Sequence, residues 1–259
     1  MMAMITLKSD REIGLMKRAG DILARCFAVI EETIAVGVRT SELDRIAEEF
    51  IARNDGIPSF KGVGGVVKGA PPYPASLCAS VNEEVIHGLP GKRALKDGDI
   101  VSIDMGVIYR GYHSDMARTF YVGSVPSEAR RLVEAAKECF YAGMFEARPG
   151  GHVSDISAAV QRCAEGSMFS VVKDFVGHGI GTSLHEPPQI PNYATKAKGH
   201  KLQAGMTLAI EPMINAGKDG VIVMPNKWTV CTKDGSLSAH YENTVLVSDD
   251  GPVILSCEW

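Results

Sequence analysis

The chain has 259 residues, 45% of them hydrophobic and 22% charged, an ordinary globular composition that excludes collagen-like, disordered and membrane-embedded classes. Lys and Arg number 27 against 31 Asp and Glu, a net charge of −4, so nothing in the bulk charge draws the chain to nucleic acid or to anionic lipid. Six scattered cysteines without a C-x-x-C pair, and the lack of a signal-peptide or membrane-length apolar run, make a reducing cytoplasm the expected setting.

Ser9 and Glu12 read as a capping box, and Ile13, Met16, Leu23, Phe27, Ile30 and Ile34 follow at helical spacing with Gly37 as the stop. A second helix is predicted from Thr40-Ser41 to just before Gly56, with Leu43, Ile46, Phe50 and Ile51 on one face. Residues 58–74 are rich in Gly and Pro and read as an ordered loop or lid. Asp99 to Val122 reads as two strands turning at Arg110-Gly111. A third helix is predicted from Pro126-Ser127 to near Pro149-Gly150, a fourth from Ser154 to Glu165, and strands and glycine-rich loops beyond Phe169. The order helix pair, strands, helix pair, strands suggests a duplication within one domain spanning 1–259. Leu95 to Asp104 and Leu202 to Glu211 support it, because Leu, Gly, Ile and a terminal acid recur in register.

Alternation turns Asp104 away from the side that buries Ile103. With Arg110-Gly111 as the turn, Tyr109 faces Tyr112 and Asp115 faces Gly106, so Asp104 and Asp115 lie diagonally on one face, about 7–8 Å apart. Like charges that close are costly unless a cation or proton intervenes. The hairpin alone also permits a solvated position at a sheet rim. Further ligand types weigh against that: His178 in Gly177-His178-Gly179-Ile180-Gly181, His185 in His185-Glu186-Pro187-Pro188, Glu211 before Pro212, and Glu242 on strand text. Four acids and one imidazole form a hard donor set that favours Mn, Fe(II) or Co over a thiolate-type zinc site. Bridging carboxylates could hold two such ions about 3.5–4 Å apart.

Asp104, Asp115, His178, Glu211 and Glu242, in the surroundings SIDMG, HSDMARTF, GHGIG, IEPM and YENT, resemble the methionine aminopeptidases in their bacterial type I form. The likeness runs from the first helix through SVNEEVIHGLP to YENTVLV. It implies a pita-bread fold of the α/β (α+β) class, with two pseudo-symmetric halves and an antiparallel sheet covered by helices. The implied activity is removal of the initiator methionine from nascent chains whose second residue is small. The implied cofactors are two divalent ions, Mn, Fe(II), Co or Zn. By resemblance Asp104 chelates one ion, Asp115 and Glu242 bridge both, and His178 and Glu211 complete the other, so that a metal-activated hydroxide attacks the first peptide carbonyl. Glu211 is also the expected proton carrier. His87 and His185 match the two non-ligand histidines that hydrogen-bond substrate and transition state, and Tyr73, Cys78 and Trp228 match positions around the methionine side chain.

Departures from the pattern concern the pocket rim. The Phe60–Cys78 segment is longer than usual, Val63 stands where an aromatic is common, and Leu184 replaces an aromatic found in some relatives. A monomer is expected, with nascent polypeptide N-termini as substrates and no nucleic acid or membrane partner. Lys92, Arg93 and Lys96 read as a solvated loop, with ribosome contact as the functional alternative. Two other readings compete. An Xaa-Pro peptidase of the same fold shares the ligands, but its last ligand normally sits in an R-x-E-D-like context rather than Tyr241-Glu242-Asn243-Thr244. A non-catalytic pita-bread module would characteristically have lost ligands.

Overall fold

The computed structural model describes residues 5–65 and 67–257, so part of the N-terminal stretch read above for a leader, and Val66 in the long loop, lie outside the described residues. Helix α1 (Asp10–Thr33) starts where the capping box places it: the Ser9 backbone N–H and hydroxyl donate to Glu12 Oε2 at 2.8 and 2.7 Å. Its buried stripe of Met16, Ala19, Ile22, Leu23, Cys26 and Ile30 follows the helical period. The helix ends at Thr33, short of the predicted stop, because Gly37 serves a different purpose. With φ +90° it turns the chain so that its N–H donates to Leu95 O at 2.7 Å. Helix α2 (Thr40–Arg53) follows and buries Leu43, Ala47 and Ile51 against the same core.

Short strand β1 (Ile57–Pro58) precedes the long loop, then come β2 (Leu77–Val81), β3 (Glu84–Ile86) and the hairpin β4 (Ile100–Tyr109) and β5 (Tyr112–Tyr121). The hairpin register matches the reading of the turn: Tyr109 pairs with Tyr112 and Gly106 with Asp115. Helix α3 (Ser127–Phe145) starts as predicted but ends before Pro149, and α4 (Val153–Gly166) opens on a second capping box, between His152 and Asp155. The remaining strands are β6 (Ser170–Val171), β7 (Gly177–Gly179), β8 (Glu186–Ile190), β9 (Thr207–Ile210), β10 (Met213–Asn215), β11 (Val221–Val223), β12 (Val230–Thr232), β13 (Ser238–His240), β14 (Glu242–Leu246) and β15 (Val253–Ile254). The main antiparallel sheet runs β1-β4-β5-β14-β9-β7-β8, with β2 also on β4 and β15 also on β14. Two three-stranded sheets, β13-β10-β6 and β11-β12-β3, flank it.

The helices cover one side of this sheet. Ile103 and Met105 of β4 pack with α1 and α2, while Leu208 of β9 and Val245 of β14 pack with Phe140 and Ile156 of α3 and α4. Because side chains alternate along strands, the even-numbered acids of β4 and β14 must emerge on the opposite side.

The suspected duplication is visible in backbone detail. Gly37 and Gly150 share φ near +90° (+90° and +91°), and their N–H groups donate to the carbonyls of Leu95 and Leu202. Gly98 and Gly205 share the same conformation (+92° and +89°) at the turn into β4 and β9. Arg39 bridges Ala94 as His152 bridges Lys201, each at the N-cap of the second helix of its pair. Positive φ at all four sites selects glycine in both copies, which explains why glycine recurs in register although most neighbours differ.

Candidate metal centre

Strand register carries the acids to one place. Ala117 of β5 pairs with Asp104 of β4 on one side and with Glu242 of β14 on the other, so a methyl group separates the two carboxylates. Asp115 is the next residue of β5 on that face. On the far side of β14, Ile210 pairs with Asn243, which brings Glu211 up beside Glu242, and His178 of β7 pairs with Ala209. The five sequence-predicted ligands therefore share one face of one sheet although they come from separate segments.

Ligand atoms of Asp115, His178 and Glu242 lie within 4.8 Å of one another, and so do those of Asp104, His240 and Glu242. His178 Nε2 stands 3.4 Å from Glu211 Oε1. The His178 Nδ1–H faces Gly179 O at 2.8 Å; a carbonyl can only accept, so Nδ1 donates and the Nε2 lone pair turns to the acids. Thr244 holds Asp115 from behind: its hydroxyl accepts from the Asp115 N–H at 2.8 Å and donates to the Asp115 carbonyl at 3.1 Å. Arg118, on the opposite face of β5, donates to the Glu242 carbonyl at 2.6 Å and to Asn243 Oδ1 at 2.9 Å, and stacks over Tyr241 at 3.9 Å. These contacts fix the backbone on which Asp115 and Glu242 ride.

Burial pushes every acid of the cluster upward, and repulsion from neighbouring acids adds to it at Asp104, Glu211 and Glu242. Burial raises Asp115 to about 7. Asp104 is pushed up by burial and then by Asp115, Glu211 by burial and then by both aspartates, and Glu242 by burial and then by Asp115, Glu211 and Asp104. The imidazoles move the other way, His178 and His240 both to about 3, chiefly through burial, so their nitrogens are neutral donors of a lone pair. Asp104 Oδ1, Glu242 Oε1 and both ring nitrogens of His240 are buried with no hydrogen-bond partner. Unsatisfied buried polar atoms of this kind are expensive unless something electropositive meets them. Divalent cations fit this donor set on both counts, since they would satisfy the orphaned atoms and relieve the repulsion among the acids.

The cluster forms the floor of a cavity of about 820 Å³ whose walls include all ten residues singled out from the sequence: the four acids and one histidine above, with Tyr73, Cys78, His87, His185 and Trp228. Tyr73 and Trp228 meet edge to face at 4.9 Å, the Tyr73 hydroxyl sharing its proton between the Leu77 and Gly88 carbonyls and Trp228 Nε1 donating to Pro71 O. Cys78 pairs with Asp104 across β2 and β4, so its sulfur marks where the apolar pocket joins the acid cluster. His87 lies edge-on to Phe175 at 5.8 Å and to Trp228 at 6.1 Å, and His185 edge-on to His178 at 4.5 Å. His87 has φ +57°, a strained conformation for a non-glycine residue. Val63 and Leu184, the two departures at the rim, both line the cavity. Phe175 and His240 escaped sequence reasoning. His240 had a signal, because it lies two residues before Glu242 and therefore shares its face in strand text. Of the basic loop, Arg93 is paired to Glu84 at 3.2 Å, while Lys92 and Lys96 are exposed.

A family model for metallopeptidase family M24 matches residues 14–249. The chain belongs to that family. Among curated M24 relatives, the methionine aminopeptidase of Clostridium perfringens is 51% identical over 98% of this chain and 99% of its own. Methionine aminopeptidase 1 of Bacillus subtilis is 47% identical, with the same shares covered. The crystal structure of the Thermotoga maritima methionine aminopeptidase superposes with a TM-score of 0.94 at 40% identity, covering 98% of this chain and all (100%) of that one. The prolidase of Pyrococcus furiosus, with a TM-score of 0.77 and 23% identity over 66% of its length, shares the pita-bread fold alone. The M24 fold expected from the motifs is thus the fold observed.

Proposed function

We propose that the chain is a type I-like methionine aminopeptidase that removes the initiator methionine from peptides whose second residue is small. The observation that supports this best is the junction of two environments in one cavity, an orphaned acid and imidazole cluster and a Tyr73-Cys78-Trp228 pocket of sulfur and aromatic rings. Asp104, Asp115, His178, Glu211 and Glu242 would hold two divalent ions, with Asp115 and Glu242 shared between them. Such ions supply a water acidified to near neutral pH and Lewis-acid polarisation of the scissile carbonyl.

The protein's own groups do the rest. A methionine thioether in the Tyr73–Trp228 corner would gain sulfur–aromatic contacts. The free amine would then face the carboxylates. His87, which burial holds down to about 4, is neutral near pH 7 and keeps an N–H to donate toward the carbonyl oxygen as it gains charge. His185, exposed at the mouth, offers a second donor from the other wall. Glu211, with its carboxyl pushed up by burial and its neighbours, is suited to take a proton and pass it to the leaving nitrogen.

The test is turnover of Met-Ala-Ser against Ala-Pro peptides by protein stripped with chelator and reloaded with Mn, Fe(II), Co or Zn. The expected result is no activity after stripping and methionine release after loading. Full activity after exhaustive chelation, or selective hydrolysis of the Xaa-Pro bond, would overturn the proposal.

A further inference from the structure

His240 sits where a ligand should, and its surroundings leave it no other occupation. It is 2% exposed, and neither ring nitrogen has a hydrogen-bond partner. Its Nε2 lies 3.9 Å from Glu211 Oε2 and 3.9 Å from Glu242 Oε2, too far for hydrogen bonds to either. Donors placed about 2.1 Å from one ion stand about 3.0–4.2 Å from one another, so that spacing suits two ligands of a common ion. Asp104 completes the group, with its Oδ1 equally orphaned.

The internal symmetry points the same way. In the first half Asp104 pairs with Ala117, and Asp115 stands two residues before that partner. In the second half Glu211 comes up beside Glu242, one step beyond the Ile210–Asn243 pair, and His240 stands two residues before it. His240 therefore holds, relative to Glu211, the place that Asp115 holds relative to Asp104.

We infer that His240 is a protein ligand of the ion held by Asp104, so that each ion of the centre has one imidazole: His178 on one side, His240 on the other, with Glu242 between. This rests on the dinuclear reading proposed above and adds a sixth protein ligand to it. A centre with two imidazoles is more nitrogen-rich than five ligands with a single imidazole and holds zinc or cobalt in preference to manganese.

The test is cobalt-edge X-ray absorption on the cobalt-loaded enzyme and on its His240→Gln variant, with cobalt content measured in the same samples. The expected count is two imidazoles per pair of ions in the wild type and one in the variant. Calorimetric titration of the variant should show the second ion bound at least tenfold more weakly, with a larger loss for zinc than for manganese. Glutamine can still hydrogen-bond to a water or a carboxylate, so a residue that merely positioned other groups would leave the imidazole count unchanged. One imidazole per two ions in the wild type, or equal counts in the two proteins, would overturn the inference while leaving the dinuclear reading intact. Uptake of fewer than two ions by the wild type would sink the dinuclear reading instead. The wild-type count needs no variant, so it decides the matter even if His240→Gln does not fold.

Discussion

At the scale of single residues, His87 and His185 would separate chemistry from metal loading on the proposed function. His87 and His185 approach the cavity from different walls, and neither belongs to the groups whose ligand atoms converge within 4.8 Å. On the proposed function, replacing one by alanine would remove a donor toward a developing oxyanion, a loss that costs about 10²–10³ in kcat. His87→Ala and His185→Ala should each lower kcat by that order with the bound-metal content unchanged, measured by steady-state assay and elemental analysis of the same preparations. Loss of metal together with activity would reassign them as ligands. These residues, with Asp104, Asp115, His178, Glu211 and Glu242, were legible because each sits in a motif whose neighbours serve its geometry, as Gly177 and Gly179 do for His178. For His240 the only mark was its place two residues before Glu242, because the role inferred for it depends on which atoms fail to find a partner, and packing reveals that.

At the scale of elements, helix starts were legible, as was the end of α4, but the ends of α1 and α3 were not. The Ser9–Glu12 box is closed by hydrogen bonds within four consecutive residues, whereas the end of α1 depends on Gly37 reaching Leu95, a partner far along the chain. The same helix shows how an element far from the cavity positions it. A side chain at Gly20 would strike the Leu255 carbonyl and the Ser256 backbone. Ser256 Oγ in turn accepts from the Thr244 N–H at 3.0 Å and donates to Asn243 Oδ1 at 2.9 Å, on the strand that carries Glu242. Gly20→Ala forces either α1 or the C-terminal segment outward, and overpacking of this kind costs about 1–3 kcal/mol. The expected outcome is a loss of that size in denaturant unfolding; a variant as stable as the parent would show that the segment shifts freely.

At the scale of the whole molecule, the buried acids set how stability responds to pH. Asp115, Asp104, Glu211 and Glu242 all have folded-state affinities for protons above those of the unfolded chain. Their protonated forms therefore stabilise the metal-free fold at low pH, and that contribution is lost as pH rises through the folded-state value of each, about 7 for Asp115 and well above the ordinary carboxylate range for the others. Above about pH 6.5 the histidines are neutral in both states and cannot offset the loss. The melting temperature of the metal-free protein should fall as pH rises above about 6.5 through the Asp115 value of about 7, and divalent cations should abolish the slope. A metal-free melting temperature that rises across this interval would contradict the protonated state assigned to the cluster. At this scale the sequence showed the duplication and the hairpin register, both local in origin. It did not show that β5 and β14 lie side by side, since that pairing joins segments distant along the chain and is stabilised by Arg118 and Thr244 reaching across it.

That pairing divides the cluster between the two halves: Asp104 and Asp115 come from the first, His178, Glu211 and Glu242 from the second. Ions held by all five would act as removable staples, each closing a long loop of chain much as a disulfide does, but under the control of the surrounding metal pool. The same atoms that prepare a peptide bond for cleavage would thus rivet the seam of the molecule, and a chelator would loosen the architecture by the same act that silences it.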